Sequence, residues 1–142
     1  MATQLTFGII KPNATKKNVI GEIIALAEKG GLKVRAMRMT SLTRPQAEGF
    51  YAVHKERPFF GELVEFMCSG PVVVMALEGE NAVTRWREIM GATDPAKADE
   101  GTVRKLYGDD IQNNASHGSD SDENAKIEVS YFFSTAELAD LL

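Results

Sequence analysis

The chain has 142 residues, of which 44% are hydrophobic and 25% charged, and this composition excludes a largely disordered protein. The length predicts a single domain over residues 1–142. Sixteen lysines and arginines against twenty aspartates and glutamates give a net charge of −4, which argues against a protein that mainly coats nucleic acid.

The N-terminal part of the chain predicts a strand, a helix and a second strand. Residues 5–11 are almost continuously apolar and predict a strand that ends at Pro12. The apolar residues of segment 18–29 recur at helical spacing, and Gly30 follows them as a helix stop. Residues 32–39 alternate between apolar and basic side chains, which is typical of a strand with one solvated face.

The middle of the chain predicts two helices, a buried strand and a third helix. Thr43 is a candidate N-cap for a helix that runs to about residue 54, and residues 59–68 predict another short helix. The apolar residues 72–77 predict a buried strand that turns at residues 78–79. Asn81 is then the candidate cap of a helix that ends near residue 90.

The C-terminal third contains a long irregular segment before its last helix. Residues 91–120 are rich in glycine and small polar residues, with one helical turn at 103–107. A long irregular stretch inside a domain is usually functional or mobile. Residues 122–133 predict a helix with Ile127 and Tyr131 facing inward and Ala125 as a further candidate for that face.

The order of these elements predicts an α+β sandwich with the helices on one face of a sheet. Only three strands are clear from the sequence. A fourth strand must be short, and the best place for it is at residues 115–116, just before His117.

The segment Asn-Ala-Ser-His-Gly-Ser-Asp at residues 114–120 is poorly explained as core filling. Gly118 permits a close backbone approach, and Ser119 and Asp120 can bond neighbouring backbone or hold the imidazole of His117. On the local sequence alone, an exposed histidine beside a helix cap explains the segment equally well.

Other candidate residues have ordinary structural explanations. His54 lies near a predicted helix C-terminus, where a partly cationic ring suits the helix dipole. Phe59 would normally belong to the core, and a position at a pocket mouth is the less favoured alternative on spacing alone. Trp86 has arginines on both sides, which suggests a surface position with an open role. Cys68, the one cysteine, excludes an internal disulfide and is expected to be buried.

The standard phosphate-binding loops are absent from the sequence, and no carboxylates have a spacing typical of a protein-held metal. Cations nevertheless lie at the ends of elements: Lys11 ends the first strand, Arg87 lies late in a helix, and Arg104 lies in the irregular segment. Each alone is weak evidence for a phosphate site, because single surface cations are usually solvated.

Blocks along essentially the whole chain resemble the nucleoside diphosphate kinase family. The matching blocks are residues 9–14, 20–24, 50–51, 57–60, 63–64, 69–72, 78–83, 91–95, 101–104 and 114–120, together with Glu128. The Asn-x-x-His-Gly-Ser-Asp signature is the most specific of them. The resemblance implies a ferredoxin-like α/β sandwich with a four-stranded antiparallel sheet.

The resemblance also implies an enzyme that moves the γ-phosphoryl of ATP or another nucleoside triphosphate to a nucleoside diphosphate, and so maintains NTP and dNTP pools. The transfer would be ping-pong through a phosphohistidine on His117, with broad base and sugar tolerance. The implied nucleotide-binding residues are Lys11, Phe59, Arg87, Thr93, Arg104 and Asn114. Tyr51 would shape the site, and Ser119 and Glu128 would support His117.

The cofactor implied by the resemblance is Mg²⁺, carried by the nucleotide without direct protein ligands. The implied partners are nucleotides and further copies of the chain, in a tetramer or hexamer built from dimers. No nucleic-acid or membrane partner is expected. Residues 1–4 lack the features of a signal peptide, and no apolar stretch approaches the roughly 18 residues of a membrane span, so we expect a cytoplasmic protein.

Two positions depart from the usual family pattern. Leu106 stands where an aspartate is common, and Asp94 stands where asparagine is frequent. A non-catalytic nucleotide-binding domain on the same fold is the alternative function. It predicts loss of the histidine or of several phosphate cations, and these residues are all present.

Overall fold

The computed structural model describes residues 3–138, which build a four-stranded antiparallel sheet flanked by helices. The expectation that residues 1–4 lack the features of a signal peptide falls partly on Met1 and Ala2. These two residues lie outside the described residues. The single domain predicted over residues 1–142 likewise extends beyond the described part at both ends. No helix within the described range is long and apolar enough to cross a membrane.

The helices and strands follow one another in the order of the sequence. They are β1 (Thr3–Ile10), α1 (Pro12–Lys16), α2 (Ile20–Lys29), β2 (Lys33–Thr40), α3 (Arg44–Phe50), α4 (Phe60–Met67), β3 (Val72–Glu80), α5 (Ala82–Met90), α6 (Val103–Tyr107), β4 (Ser116–Gly118) and α7 (Asp122–Phe132). Short 3₁₀ turns lie at Ala52–His54 and Pro95–Lys97. The strand order is β2-β3-β1-β4, with every pair antiparallel. The predicted short fourth strand is confirmed, one residue further along than expected.

Helices cover both faces of the sheet, so the prediction of helices on one face was wrong. Phe7 and Ile9 of β1 belong to a core that includes residues of α3, α4 and α7. Ile10 belongs to a second core, with residues of α2, α5 and α6. Neighbouring residues of a strand point to opposite faces. The nearly continuous apolar runs of β1 and β3 are therefore the pattern of strands buried on both sides.

The strand β3 is longer than predicted, because residues 78–79 extend it instead of turning it. Glu78, Gly79 and Glu80 pair with the first residues of β1. Asn81 follows at a φ of 51°, and its side chain does not cap α5. Instead, Gln4 Oε1 accepts a hydrogen bond of 2.9 Å from the backbone N–H of Val83. Because Gln4 is far from α5 in the sequence, this cap could not be recognised from the residues around the start of the helix.

Two of the inward-facing residues predicted for α7 lie on its outer side. Ala125 and Val129 are buried, whereas Ile127 is 62% exposed and Tyr131 44% exposed. Ile127 lies about 200° around the helix from Ala125, so the two cannot share a face. The Tyr131 hydroxyl donates to the carbonyl of Gln46 at 2.8 Å, which gives this side chain a partner at the edge of α3.

The other helices agree with their predicted positions, with two differences near their ends. Thr43 caps α3 as predicted and forms a capping box with Gln46. This helix ends at Phe50 and is followed by a separate 3₁₀ turn. Pro12, predicted only to end β1, also begins α1, because its fixed φ suits the first position of a helix.

Candidate active site

The sheet brings the end of β1 and the short strand β4 to one place. His117 in β4 pairs with Ile9 in β1. The backbone N–H of Lys11, just after β1, donates to the carbonyl of Ala115 at 2.8 Å. Ala115 has a φ of 74°, a conformation that residues with a Cβ rarely adopt. The backbone therefore places His117 and Lys11 at the same end of the sheet.

A chain of hydrogen bonds holds the imidazole of His117 from one side. Its Nε2 lies 2.9 Å from Oε1 of Glu128, and the same oxygen accepts from the Ser119 hydroxyl at 2.8 Å. The Ser119 oxygen in turn accepts from the backbone N–H of Phe7. An ionised carboxylate can only accept, so Nε2 carries the proton and Nδ1 keeps the lone pair. No residue of the described range 3–138 bonds to Nδ1.

Aromatic side chains enclose the His117 ring. Its centroid lies 5.3 Å from that of Phe50 and 6.2 Å from those of Phe7 and Tyr51. Burial lowers the pKa of His117, and Glu128 opposes this effect without reversing it. The imidazole is therefore neutral at pH 7 and able to act as a nucleophile.

Tyr51 has a buried hydroxyl with no hydrogen-bond partner among residues 3–138. Burial, and then the charge of Glu128, raise the pKa of this hydroxyl. Tyr51 therefore stays protonated and contributes a neutral wall to the site.

Lys11 is buried beside the histidine. Its Nζ donates to Asn114 Oδ1 at 2.8 Å, and the Asn114 amide donates to the carbonyl of Thr93 at 3.1 Å. Burial, followed by repulsion from Arg104, lowers the pKa of Lys11 to about 7. A bound anion would offset both effects, so this amine suits a site that receives phosphate.

Arg104 spans the same region through its guanidinium. Its Nη1 donates to the carbonyl of Gly91 and its Nη2 to that of Ser116, both at 3.0 Å. Its Nε is buried without a partner among the described residues. Burial and then repulsion from Arg87 lower the pKa of Arg104 to about 10, which leaves it charged at pH 7. Two arginines and a lysine thus lie close enough together for their charges to repel one another.

Two adjoining cavities open onto His117. The first has a volume of about 450 Å³ and is lined by Lys11, Phe50, Tyr51, Val53, His54, Phe59, Leu63, Thr93, Arg104, Ile111, Gln112, Asn114, His117 and Glu128. The second, of about 380 Å³, shares His117, Thr93 and Arg104 with it and adds Arg87 and Asp120. A more open depression of about 660 Å³ is also lined by Arg87 and Arg104, but His117 is not among its lining residues. The cavities that contain the nucleophile candidate are therefore the better candidate site.

The outer part of the first cavity is apolar and exposed. Phe59 is 43% exposed, and its ring centroid lies 5.7 Å from that of His54. Val53 and Ile111 are exposed residues on the same wall. This part offers flat apolar surface rather than fixed hydrogen bonds.

The residues that the resemblance assigned to the site come together in this place. Lys11, Tyr51, Phe59, Thr93, Arg104, Asn114, His117 and Glu128 line the first cavity, Arg87 lines the second, and Ser119 reaches it through Glu128. Sequence reasoning missed the cavity positions of Phe50, His54 and Ile111. The available indication for His54 was its position in the sequence between Tyr51 and Phe59, which the resemblance had already assigned to the site.

Trp86 was predicted to lie at the surface, and this was wrong. The residue is fully buried, with Val83 and Met90 on the same helix face. Its neighbouring arginines lie on other faces of α5, because successive helical residues are about 100° apart. The indole Nε1 donates to the carbonyl of His117 at 3.1 Å.

Comparison with known proteins identifies the family. The family model described as nucleoside diphosphate kinase matches residues 4–138. The chain belongs to the nucleoside diphosphate kinase family. A nucleoside diphosphate kinase of Rhizorhabdus wittichii is 61% identical over 138 residues, covering 97% of this chain and 99% of that protein. One from Anaeromyxobacter sp. strain K is 65% identical over 133 residues, covering 94% and 90%.

Solved structures of nucleoside diphosphate kinases have the same fold. The Aquifex aeolicus enzyme has a TM-score of 0.93 at 45% identity, covering 96% of this chain and 99% of that one. A halophilic enzyme from Halobacterium salinarum, in complex with CDP, has a TM-score of 0.90 at 37% identity, covering 96% and 91%. The predicted ferredoxin-like α+β fold is thereby confirmed, and the chain is a phosphotransferase of the nucleoside diphosphate kinase type.

The two departures from the usual family pattern lie outside the cavities that contain His117. Leu106 is half-exposed on α6. The Asp94 carboxylate accepts from the backbone N–H of Ala96 at 3.0 Å and so caps the following 3₁₀ turn. Neither side chain lines the proposed nucleotide cavity.

Proposed function

We propose that this nucleoside diphosphate kinase works by a ping-pong mechanism through a phosphohistidine on His117. The observation that carries the proposal is the fixed orientation of the ring. Glu128 holds Nε2–H, which leaves the lone pair on Nδ1 in a cavity lined by Lys11 and Arg104. Nucleophile, orienting base and cations are the groups that a covalent phosphoryl transfer needs.

In the first half-reaction, the Nδ1 lone pair attacks the γ-phosphorus of a nucleoside triphosphate. An N–P bond forms, the bond from phosphorus to the β–γ bridging oxygen breaks, and the nucleoside diphosphate leaves. The proton stays on Nε2, where Glu128 stabilises the positive charge that develops on the ring. In the second half-reaction, a terminal oxygen of another nucleoside diphosphate attacks phosphorus, the N–P bond breaks, and neutral His117 is regenerated.

The cations of the site have a proposed role in stabilising the transferring phosphoryl. Its equatorial oxygens carry the charge in the transition state, and fixed donors aimed at them lower the barrier. Lys11 and Arg104 are held by hydrogen bonds in the cavity wall, and Arg87 lines the adjoining cavity. The Thr93 hydroxyl and the Asn114 amide are further phosphate or sugar donors in this proposal.

The nucleotide base is proposed to stack on Phe59 at the apolar end of the cavity. Support comes from the exposure of that ring and from the Halobacterium salinarum relative, which was solved in complex with CDP. Stacking does not read the hydrogen-bonding edge of a base. We therefore propose broad base and sugar tolerance, with ATP among the donors and a role in maintaining NTP and dNTP pools.

Mg²⁺ is the proposed cofactor, held by the phosphate oxygens of the nucleotide. Such oxygens are the ligands that Mg²⁺ prefers, and it usually binds to proteins together with substrate phosphates. Within residues 3–138, no group of three or more histidine, cysteine, aspartate or glutamate side chains could hold a metal ion. The ion would neutralise charge on the β- and γ-phosphates.

Assembly and location are also proposals. We propose a single domain over residues 1–142, in a homo-oligomer of four or six chains built from dimers and located in the cytoplasm. Support for self-association comes from β2, an edge strand with the exposed apolar residues Met37 and Met39. Light scattering on the eluted peak of a gel-filtration run measures the number of chains.

The decisive experiment is to incubate the protein with ATP carrying a radioactive γ-phosphate and no acceptor. We expect a labelled protein whose phosphate is labile in acid and stable in base, as for a phosphohistidine. Addition of GDP should then release the label as GTP. Turnover without any labelled protein would overturn the covalent mechanism, and absence of turnover would favour the non-catalytic nucleotide-binding alternative.

A further inference from the structure

A pair of glycines makes room for the indole of Trp86 on the sheet. Gly8 in β1 and Gly118 in β4 lie opposite each other across the two strands. A Cβ on Gly118 would lie 2.6 Å from Trp86 Cδ1, and a Cβ on Gly8 would lie 3.2 Å from Trp86 Nε1. Real Cβ atoms do not approach other atoms as closely as 2.6 Å. The indole therefore lies directly against the backbone of both strands.

The indole N–H of Trp86 donates a hydrogen bond to the backbone of His117, the proposed nucleophile. Trp86 Nε1 donates to the carbonyl oxygen of His117 at 3.1 Å, and the side chain is fully buried. The residues two before and two after His117, which flank β4, make backbone hydrogen bonds to Lys11, just after β1, and to Phe7 in β1. Because bonded pairs alternate along an antiparallel ladder, His117 belongs to the bonded set. The indole thus supplies a second donor to a carbonyl that already faces β1.

Trp86 also precedes Arg87 directly on α5. Arg87 lines the second cavity, which contains His117. Trp86 is hydrogen-bonded to the backbone carbonyl of His117. The same indole therefore joins the helix that carries a phosphate cation to the strand that carries the histidine. A shift of the indole would change the separation between Arg87 and the imidazole.

We propose that Trp86 is a positioning residue for phosphoryl transfer, which fixes β4 and its histidine against α5 and its arginine. This inference rests on the proposed function, because it assigns Trp86 to the reaction at His117. It goes beyond simple core packing, which would need an apolar side chain but no N–H donor at this place.

The test compares variants by the single-turnover rate of labelled phosphate transfer to the protein. Trp86→Phe keeps an apolar ring and removes the donor. A displacement of about 1 Å in a reacting group can cost up to 10²-fold in rate. We expect Trp86→Phe to lower the transfer rate by about 10- to 100-fold, with nucleotide Kd changed less than threefold. Gly8→Ala retains the donor but crowds Nε1, and we expect a smaller loss of the same kind.

Leu77→Ala is the matched control for destabilisation. Leu77 is fully buried in the same core but pairs with Thr6, towards the other end of β1. We expect this variant to lower Tm at least as much as Trp86→Phe does, with a transfer rate near that of the unaltered protein. A rate in Trp86→Phe equal to that of Leu77→Ala would show that Trp86 only packs the core and would overturn the proposal.

A double-mutant cycle with Arg87→Ala isolates the positioning role. If Trp86 acts by placing Arg87 relative to His117, its loss should cost much less once Arg87 is absent. Additive losses would overturn that part of the proposal. Steady-state kcat is measured for the same variants, because it requires no covalent intermediate. If the unaltered protein turns over without label on His117, the proposed mechanism fails, while the kcat ratios still decide the role of Trp86.

Discussion

The inner and outer ends of the cavity differ in how their side chains are held. At the inner end, Lys11, Arg104 and His117 each make at least one hydrogen bond of 3.0 Å or less to another part of the chain. At the outer end, Phe59 is 43% exposed and Val53 87% exposed, and the ring of Phe59 lies 5.7 Å from that of His54. One end is prearranged by polar bonds, and the other is an open apolar surface.

This difference matches what each end of a nucleotide requires. The phosphoryl group reacts, and donors that are already oriented at its oxygens lower the barrier without reorganising during the reaction. The base does not react, and a flat ring can stack on any base without selecting one. Tight positioning at the phosphates and loose contact at the base therefore suit an enzyme that acts on many nucleotides.

The largest effect is expected for His117→Ala, which removes the nucleophile. We expect no phosphoenzyme and no measurable turnover, whereas His54→Ala, on the outer part of the cavity, should leave both nearly intact. The measurement is labelled ATP with and without an acceptor diphosphate. Label retained by His117→Ala would place the covalent site elsewhere.

The next largest effect is expected at the cations of the inner end. Loss of one preorganised donor typically costs on the order of 10²–10³ in rate. Alanine at Lys11 or at Arg104 should therefore lower kcat by about that factor with the circular dichroism spectrum retained. Lys97→Ala is the matched control, because Lys97 lines the open depression and not the cavity of His117. Losses below tenfold at both inner cations would mean that the transferring phosphoryl lies elsewhere.

A smaller effect, on KM more than on kcat, is expected at the outer end. Stacking on an aromatic ring contributes about 1–3 kcal/mol per base, so Phe59→Ala should raise KM by roughly 5- to 150-fold. Purine nucleotides should lose more than pyrimidines because they present more stacking area.

The check for this outer-end prediction is a steady-state panel of ATP, GTP, CTP, UTP and their deoxy forms with one acceptor. In the unaltered protein, kcat/KM should vary by no more than about two orders of magnitude across the panel. A preference above a thousandfold for one base would require buried hydrogen-bonding groups and would contradict the stacking account.

The smallest expected effect is a proton taken up when nucleotide binds. The pKa of Lys11 is lowered to about 7, so at pH 8 most of this amine is neutral in the free protein. Bound phosphate favours the charged form and raises that pKa, so binding takes up close to one proton at pH 8. Affinity should accordingly fall by up to tenfold per pH unit between pH 7 and 9. Calorimetry in two buffers of different ionisation enthalpy measures the uptake.

Lys11→Arg is the control for proton uptake, because arginine stays charged throughout this pH range. It should bind without taking up a proton, and its affinity should vary less with pH. Equal uptake in both proteins would assign the proton to another group and would remove the argument that Lys11 is held ready for an anion.

Local patterns in the sequence predicted most elements of the fold. The apolar run of β1, the helical spacing of α2 and the N-cap at Thr43 are short-range features, and each forms close to its predicted position. The His-Gly-Ser-Asp segment marked the candidate nucleophile. The order of the matching blocks identified the family, and with it the residues assigned to the nucleotide.

Contacts between distant parts of the chain could not be predicted in this way. Gln4 caps α5 across 79 positions, and Lys11 meets Asn114 across 103 positions. The lowered pKa of Lys11 depends on burial that exists only after β1 and β4 pair.

Trp86 is the clearest example of this limit. Its flanking arginines suggested a surface position, because the chain offers no local sign that two glycines from other strands make a place for its indole. The sequence by itself determined which residue types were available to move a phosphoryl group and where strands and helices form. The tertiary structure decided which nitrogen of His117 is free, how charged Lys11 is and what holds the histidine in place, because hydrogen bonding and burial are set by neighbours that are remote in sequence.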